Sequence, residues 1–314
     1  MNGKSFNEML RSTFKSDDTE EWLDVHFTRP IGLVFALFWI RLGVHPNAVT
    51  ILSLFLGLAA AWNFYFTDLT HNLIGVALLM LANFCDSTDG QMARLSGKKT
   101  LLGRVLDGFS GDVWFFCIYV AIAVRLCHQP IPGTTIEWGI WGFLLAAVAG
   151  FLSHSPQSSL ADYYRQIHLY FLLGKEGSEL DNSTQQMQEF HSLPKSKWFD
   201  RLFHYNYAGY CRSQERRTPR FQTFFHEVKN RWPHAADMPQ AFRDTFRQGS
   251  LPLMKYTNML TFNVRAITVY VTCLLDCPWV YLLVEVILLN IMYAYMHRTH
   301  ERLCERLTSQ MLSK

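Results

Sequence analysis

Six mainly apolar stretches alternate with polar segments along the chain. Each is close to the ~20 residues that an α-helix needs to cross about 30 Å of hydrocarbon. The pattern therefore predicts an all-α integral membrane protein with six transmembrane helices. These would cover residues 48–66, 73–93, 103–126, 137–158, 258–275 and 279–297.

The segment before the first span is expected to lie on the membrane rather than across it. Residues 31–42 are apolar but too short to span. They follow Pro30 and contain Trp39 and Arg41, which suit lipid headgroups, so we predict an N-terminal interfacial helix. The residues before Pro30 are polar and acidic without an apolar core, so no cleavable signal peptide is expected.

Lysine and arginine are distributed unevenly between the spans. The connections 67–72, 127–136 and 276–278 contain neither residue, whereas both termini and the segment 159–257 are rich in them. Because positively charged segments stay on the cytoplasmic side, we expect a multi-pass protein with both termini in the cytoplasm. The pattern does not distinguish a bacterial inner membrane from an ER-type membrane.

A long segment, 166–257, separates the fourth and fifth predicted spans. It is too aromatic for a disordered linker, so we predict a cytoplasmic helical insertion. Its basic cluster near 212–220 would either attract anionic lipids or form an ordinary solvated surface. The predicted parts of the chain are 1–47, 48–165, 166–257 and 258–314. Prolines that should break the insertion into short helices are Pro194, Pro219, Pro233, Pro239 and Pro252.

The most unusual polar residues lie where the second span ends. Asp86, Asp89, Gly90 and Ala93 follow the spacing i, i+3, i+4, i+7, so they share one stripe of a helix. Carboxylates are rare within membrane helices unless they are paired or bind metal. The stripe therefore predicts two carboxylates that hold a cation, with small residues that let a ligand approach the backbone.

Asp107 would add a carboxylate from the next helix. Oxygen ligands suit Mg²⁺, and two ions roughly 3.5–4 Å apart can clamp both oxygens of an in-line displacement at phosphorus. Arg94 suits a phosphate oxygen or one of the carboxylates. Helix packing and membrane anchoring could explain each residue alone, but not their joint spacing.

Residues 86–107 read Asp-x2-Asp-Gly-x2-Ala-Arg-x8-Gly-x3-Asp. This spacing resembles the signature of the CDP-alcohol phosphotransferase family, the membrane enzymes that form phospholipid headgroup bonds. The Pro-Asn-Ala-Val-Thr element at 46–50 also resembles the start of the family's first membrane helix. The resemblance covers about residues 20–165 and, loosely, the last two helices, but not the insertion.

The resemblance implies transfer of a substituted phosphate from a CDP-linked donor to an acceptor hydroxyl, with release of CMP, at a cytoplasmic active site. Expected partners are the donor, the alcohol acceptor and membrane lipids, without nucleic acid, and a homodimer is compatible with this picture. Two Mg²⁺ or Mn²⁺ ions would bind Asp86, Asp89, Asp107 and Asp112, with Asp112 as the general base. The nucleotide would contact Asn47, Thr50, Gly90, Ala93, Arg94 and Gly103.

The signature does not specify the substrates. Arg265, in the fifth predicted span, would bind a phosphate on the acceptor, pair with a signature aspartate, or snorkel to the interface. The first option favours CDP-diacylglycerol with inositol phosphate or glycerol phosphate. An aminoalcohol phosphotransferase that uses CDP-choline or CDP-ethanolamine stays open, as does a non-catalytic membrane scaffold. His154 is a weaker candidate for the acceptor pocket, and Glu285 is expected to hydrogen-bond between helices.

One position departs from the family's pattern. The family has Asp four residues after Asp107, but here that position is Gly111 and the next carboxylate is Asp112. On a regular α-helix, the fifth residue points about 140° away from the first. We predict a π-type turn within 107–113, which would return Asp112 to the carboxylates, and Gly108 and Gly111 would ease the distortion.

Overall fold

The computed structural model describes residues 5–14, 16–97 and 101–313, apart from the side chains of Leu101, Leu102, Arg104, Val105, Asp107 and Glu176. Over these residues the chain is helical and forms no β-strand, which confirms the all-α prediction. It divides into two compact units. Unit 1 is Met1–Pro156 with Thr261–Asn290, and unit 2 is Gln157–Leu260 with Ile291–Lys314.

The helices follow the apolar pattern closely in the first half of the chain. Within the described ranges, three short segments are wound as π-helix, at Asp24–Thr28, Val148–His154 and Val284–Leu289. In chain order the α-helices are α1 Phe6–Arg11, α2 Arg29–Arg41, α3 Pro46–Phe64, α4 Leu69–Ser96, α5 Leu101–Cys127, α6 Ile140–Ala147, α7 Ser155–Leu173, α8 Ser183–Ser192, α9 Trp198–Arg217, α10 Pro219–Arg231, α11 Gln240–Met259, α12 Phe262–Leu274, α13 Trp279–Leu283 and α14 Asn290–Leu312.

Four helices in the described chain are long and apolar enough to cross a membrane: α3, α4, the Gly108–Cys127 part of α5, and Trp279–Leu312. They indicate an integral membrane protein. The other two predicted spans are not among these four. α6, the π segment after it and α7 form one helical stretch from Ile140 to Leu173, but this stretch is not among the four that are apolar enough. α12 has 13 residues, whereas a span needs ~20. The six-span topology and the interfacial position of α2 therefore stay predictions.

The core of unit 1 lies where α3, α4 and α5 pack together. Trp114 of α5 is 1% exposed and lies against Gly57 of α3, where any Cβ would overlap the indole ring. Phe64 likewise lies against Gly75, where a Cβ would be 2.9 Å from the ring. Small residues at such crossings let membrane helices approach closely. These contacts fix α3 and α5 around α4.

A second feature of unit 1 is a buried arginine near the end of α5. Arg125 donates hydrogen bonds to the Phe64 carbonyl at 3.0 Å and to Asn72 Oδ1 at 2.9 Å. It also donates to the Cys273 carbonyl at 3.4 Å and to Asp276 Oδ1 at 2.6 Å. These five residues are named the Arg125 cluster. Because the last carbonyls of a helix have no partner within it, the guanidinium completes the ends of α3 and α12.

Unit 2 contains the insertion, which is helical. Its core is aromatic, and His168 Nδ1 lies 2.8 Å from the Ser250 hydroxyl. Four of the five prolines flank helices, but Pro252 lies inside α11. Pro252 removes only one helical hydrogen bond, and the buried Phe246 and Leu253 on either side hold the helix together.

Candidate active site

The signature helix α4 has one face packed against the N-terminal helix α2. Gln91 Nε2 donates hydrogen bonds to the Arg29 carbonyl at 3.0 Å and to Ser87 Oγ at 3.1 Å. Thr88 Oγ1 donates to the Gly32 carbonyl at 3.3 Å. A Cβ at Gly32 would lie 2.8 Å from Gln91 Nε2, so the two helices are in close contact. α2 therefore sets the rotation of α4 and leaves the carboxylate stripe on another face.

Sequence reasoning missed this supporting contact. The available signal was polarity, since Ser87, Thr88 and Gln91 are polar residues on the side of α4 opposite to the carboxylates. The N-terminal segment is fixed in turn by Asn263, whose Nδ2 donates to Glu21 Oε2 at 2.7 Å and to Asp24 Oδ1 at 3.2 Å. The predicted acidic N-terminus is thus part of the scaffold of unit 1.

The carboxylate stripe forms as predicted on α4. Asp89 is 3% exposed, and Asp86 is half-buried and accepts a hydrogen bond from Ser110 Oγ of α5 at 3.1 Å. The Arg94 guanidinium lies over Gly90, so that a Cβ there would be 3.4 Å from Arg94 Nη2. Ser110 was not predicted, although it lies one helical turn after Asp107. The structure thus gathers two acids, one guanidinium and one hydroxyl at a single place.

The third predicted metal ligand cannot be placed in the same way, because the Asp107 side chain lies outside the described residues. Among the side chains that are described, no three His, Cys, Asp or Glu are arranged to hold a metal ion. The two-metal site therefore stays a prediction. Asp86 and Asp89 fit it chemically, because Mg²⁺ and Mn²⁺ prefer carboxylate oxygens and a buried carboxylate such as Asp89 is stabilised by cations.

The predicted nucleotide residues lie on three different helices. Asn47 is half-buried at the start of α3, while Thr50 is buried and donates to the Pro46 carbonyl at 3.3 Å. Val49 packs against Met92, which brings the first turn of α3 next to the last turns of α4. Ala93 and Gly103 are half-buried. The contacts of all these residues with a nucleotide stay a prediction.

The predicted π-type turn within 107–113 is wrong, since α5 is an uninterrupted α-helix from Leu101 to Cys127. Asp112 therefore lies about 140° around the helix axis from position 107. It instead lines a cavity together with Tyr119 and His154. The expected roles of Asp112 as metal ligand and general base lose the geometry on which they depended.

The regular helix has a packing reason. Ser110 faces Asp86 at 3.1 Å, and Trp114, four residues later, faces Gly57. Residues four apart lie on the same side of an α-helix, so one α-helical turn satisfies both contacts. A bulge between them would rotate Trp114 out of the core.

Residues 43–161, which contain the whole signature, match the family model of the CDP-alcohol phosphatidyltransferases. This segment is a CDP-alcohol phosphatidyltransferase domain. A curated relative, the archaetidylinositol phosphate synthase of Pyrococcus horikoshii, is 35% identical over 66 residues, which are 21% of this chain and 34% of the relative. The chain thus matches about a third of the length of this relative. The resemblance inferred from the signature is confirmed.

Arg265 lies outside the transferase domain but inside unit 1. It is 1% exposed and faces Glu285, which is 0% exposed. Its Nε lies 3.2 and 3.1 Å from the two Glu285 oxygens, and its Nη2 lies 3.1 Å from Oε1. The snorkelling alternative is therefore wrong, and Glu285 does bond between helices as expected. Binding of an acceptor phosphate by Arg265 stays a prediction.

A chain of hydroxyl groups continues from this ion pair to the cavity. Glu285 interacts with the Tyr119 hydroxyl, which accepts a hydrogen bond from Tyr281 at 2.7 Å. The same hydroxyl lies 3.1 Å from His154 Nδ1. The transferase domain is thus joined to the Arg265–Glu285 pair by contacts that no local pattern in the sequence could show.

Proposed function

We propose that the chain is a CDP-alcohol phosphotransferase of phospholipid synthesis, with CDP-diacylglycerol as donor and a phosphorylated polyol, inositol phosphate first, as acceptor. The observation that carries the reaction type is the joint placement of Asp86, Asp89 and Arg94 on one helix of the matched domain. The archaeal relative is an archaetidylinositol phosphate synthase, and this similarity supports a phosphorylated inositol in the product.

In this proposal Asp86, Asp89 and Asp107 would hold two Mg²⁺ or Mn²⁺ ions, which would neutralise the diphosphate and the charge on departing CMP. Ser110 orients Asp86 through its hydrogen bond. Arg94, held over Gly90, donates to a phosphate oxygen of the donor. The acceptor hydroxyl attacks the phosphorus that carries the lipid, in line with the leaving CMP. The new O–P bond replaces the bond to the CMP phosphate, and the hydroxyl proton passes to a carboxylate of the signature or to water.

Arg265 supports the choice of a phosphorylated acceptor. A buried ion pair is often no more stable than apolar residues of the same volume, so stability alone does not account for this pair, and a use of its charge in binding is favoured. Arg265 has a second edge, Nη1, which donates to the Thr261 carbonyl at 3.2 Å. A phosphate that approached this edge would share the guanidinium with Glu285.

The experiment is a transfer assay on the purified full chain. It is incubated with radiolabelled CDP-diacylglycerol, Mg²⁺ and one acceptor at a time: inositol phosphate, glycerol phosphate, serine or inositol. We expect CMP and labelled lipid product with inositol phosphate, none in chelator, and none from the Asp89→Asn variant. Release of CMP only when the substrates are CDP-choline or CDP-ethanolamine with diacylglycerol would contradict the proposed substrates. If no donor and acceptor pair releases CMP, a non-catalytic scaffold is favoured.

We also propose that both termini and the 166–257 insertion are cytoplasmic. The uneven distribution of Lys and Arg supports this orientation. Single cysteines placed at 67–72, at 127–136 and in the insertion, in a chain without its native cysteines, can be labelled from outside intact cells. Only the first two regions should react with an impermeant reagent. Labelling of the insertion from outside would reverse the orientation.

A further inference from the structure

Unit 1 contains a cavity that the proposed chemistry does not use. It has a volume of about 500 Å³ and lies between α5 and the segment formed by α6 and the following π-helix. That volume falls within the range of roughly 300–1,000 Å³ found for small-molecule sites. We propose that it binds one hydrocarbon chain of a lipid whose polar end is a hydrogen-bond donor, a hydroxyl or an ammonium group.

The two walls of the cavity run antiparallel, and their register is set by small residues. A Cβ at Gly142 would lie 3.2 Å from Leu126, and one at Gly150 would lie 3.2 Å from the Tyr119 ring. Further along, the rings of Phe115 and His154 are 4.8 Å apart. The register therefore brings Asp112 to the same end of the cavity as His154.

The other end of the cavity is apolar. It extends along α5 from Asp112 to Ala123, past Phe116 and Val120. The eleven steps from Asp112 to Ala123, at a rise of 1.5 Å each, give a path of about 16 Å, which suits an extended alkyl chain. The opposite wall contributes Phe143 and Ala147. A long apolar path with polar groups at one end fits an amphipathic molecule.

The charge at the polar end selects the head of that molecule. Asp112 is exposed to the cavity, and within the described part of the chain its carboxylate makes no hydrogen bond. An intramembrane carboxylate needs a donor or a cation. A lipid hydroxyl or ammonium supplies one, whereas a phosphate would be repelled.

The site does not depend on the proposed transfer reaction, because Ser110, which faces Asp86, lies on a different side of α5 from the residues that line the cavity. Binding can be measured without turnover. The probe is hexadecanol with a diazirine in its chain, compared with hexadecyl phosphate that carries the same diazirine. The purified full chain in detergent is irradiated with each probe, and labelled peptides are found by mass spectrometry.

Two substitutions, each with a control at the next residue, test where the hydrocarbon chain binds. A third substitution tests which polar head group is selected. Ala147→Trp fills the cavity, while Val148→Trp adds the same ring at the next residue, which does not line it. Val120→Trp and Ala121→Trp form a second matched pair on α5. Asp112→Asn keeps the size of the side chain and removes its charge. Each variant is first checked for an unchanged helical circular-dichroism spectrum and elution volume.

In the wild type, we expect the alcohol to label peptides 109–123 and 143–155 at least about tenfold more than the phosphate does, a difference of about one decade in affinity. Ala147→Trp or Val120→Trp should remove this labelling, and both control variants should keep it. Asp112→Asn should make the two probes nearly equal. The proposal is overturned by equal labelling in the wild type or by labelling that both cavity-filling variants retain. If two copies of the chain cross-link through this surface and the probe is excluded, the surface belongs to a second copy. That outcome would also overturn the proposal.

Discussion

Arg125 and Arg265 are two buried arginines in apolar helices of unit 1, and their surroundings are built differently. In the Arg125 cluster, Arg125 donates to two backbone carbonyls, to an amide and to Asp276, whose carboxylate is 53% exposed. Arg265 instead faces Glu285, which is 0% exposed and also interacts with Tyr119. Arg125 donates hydrogen bonds to groups at the ends of helices. Arg265 pairs with a fully buried carboxylate that is linked to a series of hydrogen-bonded side chains.

The difference separates a structural use of charge from a functional one. Carbonyls at helix ends need donors in any folded state, so the Arg125 cluster is explained by stability alone. A buried ion pair is weak evidence for stability, and the signature carboxylates of α4 are not explained by stability at all. Substitutions in the Arg125 cluster should therefore change unfolding, and substitutions at the signature should change turnover.

The largest expected effect is at the signature. Asp89→Asn keeps the shape of the side chain but removes the negative charge that would hold a cation, so turnover should fall by about 1,000-fold, or about 4 kcal/mol in the barrier. Thermal unfolding in detergent should stay close to that of the wild type. The measurement is CMP release at saturating Mg²⁺, with circular dichroism as the folding control. CMP release at the wild-type rate would remove Asp89 from the metal site.

Much of this region could be predicted from the sequence. The apolar stretch 73–93 predicts α4, which the structure places at Leu69–Ser96. The spacing of Asp86, Asp89 and Gly90 predicts that they share one face of this helix. Both predictions succeed because helical periodicity is a local property of the sequence. The position of Asp112 could not be predicted in this way. Whether α5 bends to move Asp112, or stays regular for Ser110 and Trp114, depends on packing against other helices.

The ion pair shows the same limit. Arg265 and Glu285 were each recognised as polar residues in apolar stretches, but they are twenty residues apart, on either side of the turn between α12 and α13. Their contact depends on how the helices cross, which is a tertiary property. The π segments at Val148–His154 and Val284–Leu289 had no sequence signal either, because α and π winding use the same residue types.

The second prediction compares the two arginines by double-mutant cycles. Arg265→Met leaves a buried, unpaired Glu285 and should destabilise unit 1 by about 3–5 kcal/mol, whereas adding Glu285→Leu should recover most of this loss. The coupling between Arg125 and Asp276 should be about 1 kcal/mol or less, because Asp276 is half-exposed. Unfolding in detergent measures all six variants. Equal coupling energies would mean that the two sites are not different in kind.

The folded double variant Arg265→Met/Glu285→Leu also tests function. If Arg265 binds the acceptor phosphate, this variant should raise the KM for inositol phosphate by about 10- to 150-fold, which corresponds to roughly 1.5–3 kcal/mol, and leave the KM for the CDP-linked donor unchanged. Equal increases for both substrates would assign the pair to structure alone.

The third prediction makes the same substitution, glycine to alanine, at two positions with different surroundings. A Cβ at Gly90 would lie 3.4 Å from Arg94 Nη2, an ordinary contact, whereas a Cβ at Gly57 would overlap the Trp114 ring. Gly90→Ala should therefore keep or raise stability, by up to about 1 kcal/mol from helix propensity, but lower turnover roughly 100-fold by displacing the nucleotide. Gly57→Ala should destabilise by about 1–3 kcal/mol. Wild-type turnover by Gly90→Ala would show that the nucleotide does not approach this residue.

The smallest expected effect lies in the Arg125 cluster itself. Asp276 has φ of +52°, a conformation that Asn and Asp tolerate better than other residues with a Cβ. Asp276→Asn preserves this tolerance and still offers an acceptor to Arg125 and Gln129, now bonded at 2.6 and 2.9 Å. Only the charge is lost, and since the carboxylate is half-exposed, the cost in stability should be about 0.5–1 kcal/mol.

Asp276→Ala loses both hydrogen bonds and adds backbone strain, so it should cost about 1–2 kcal/mol more than Asp276→Asn. Neither variant should change CMP release at a temperature where both are folded. Lower turnover in a folded Asp276→Asn variant would show that the Arg125 cluster acts on the reaction, and the division between a structural and a functional arginine would fail.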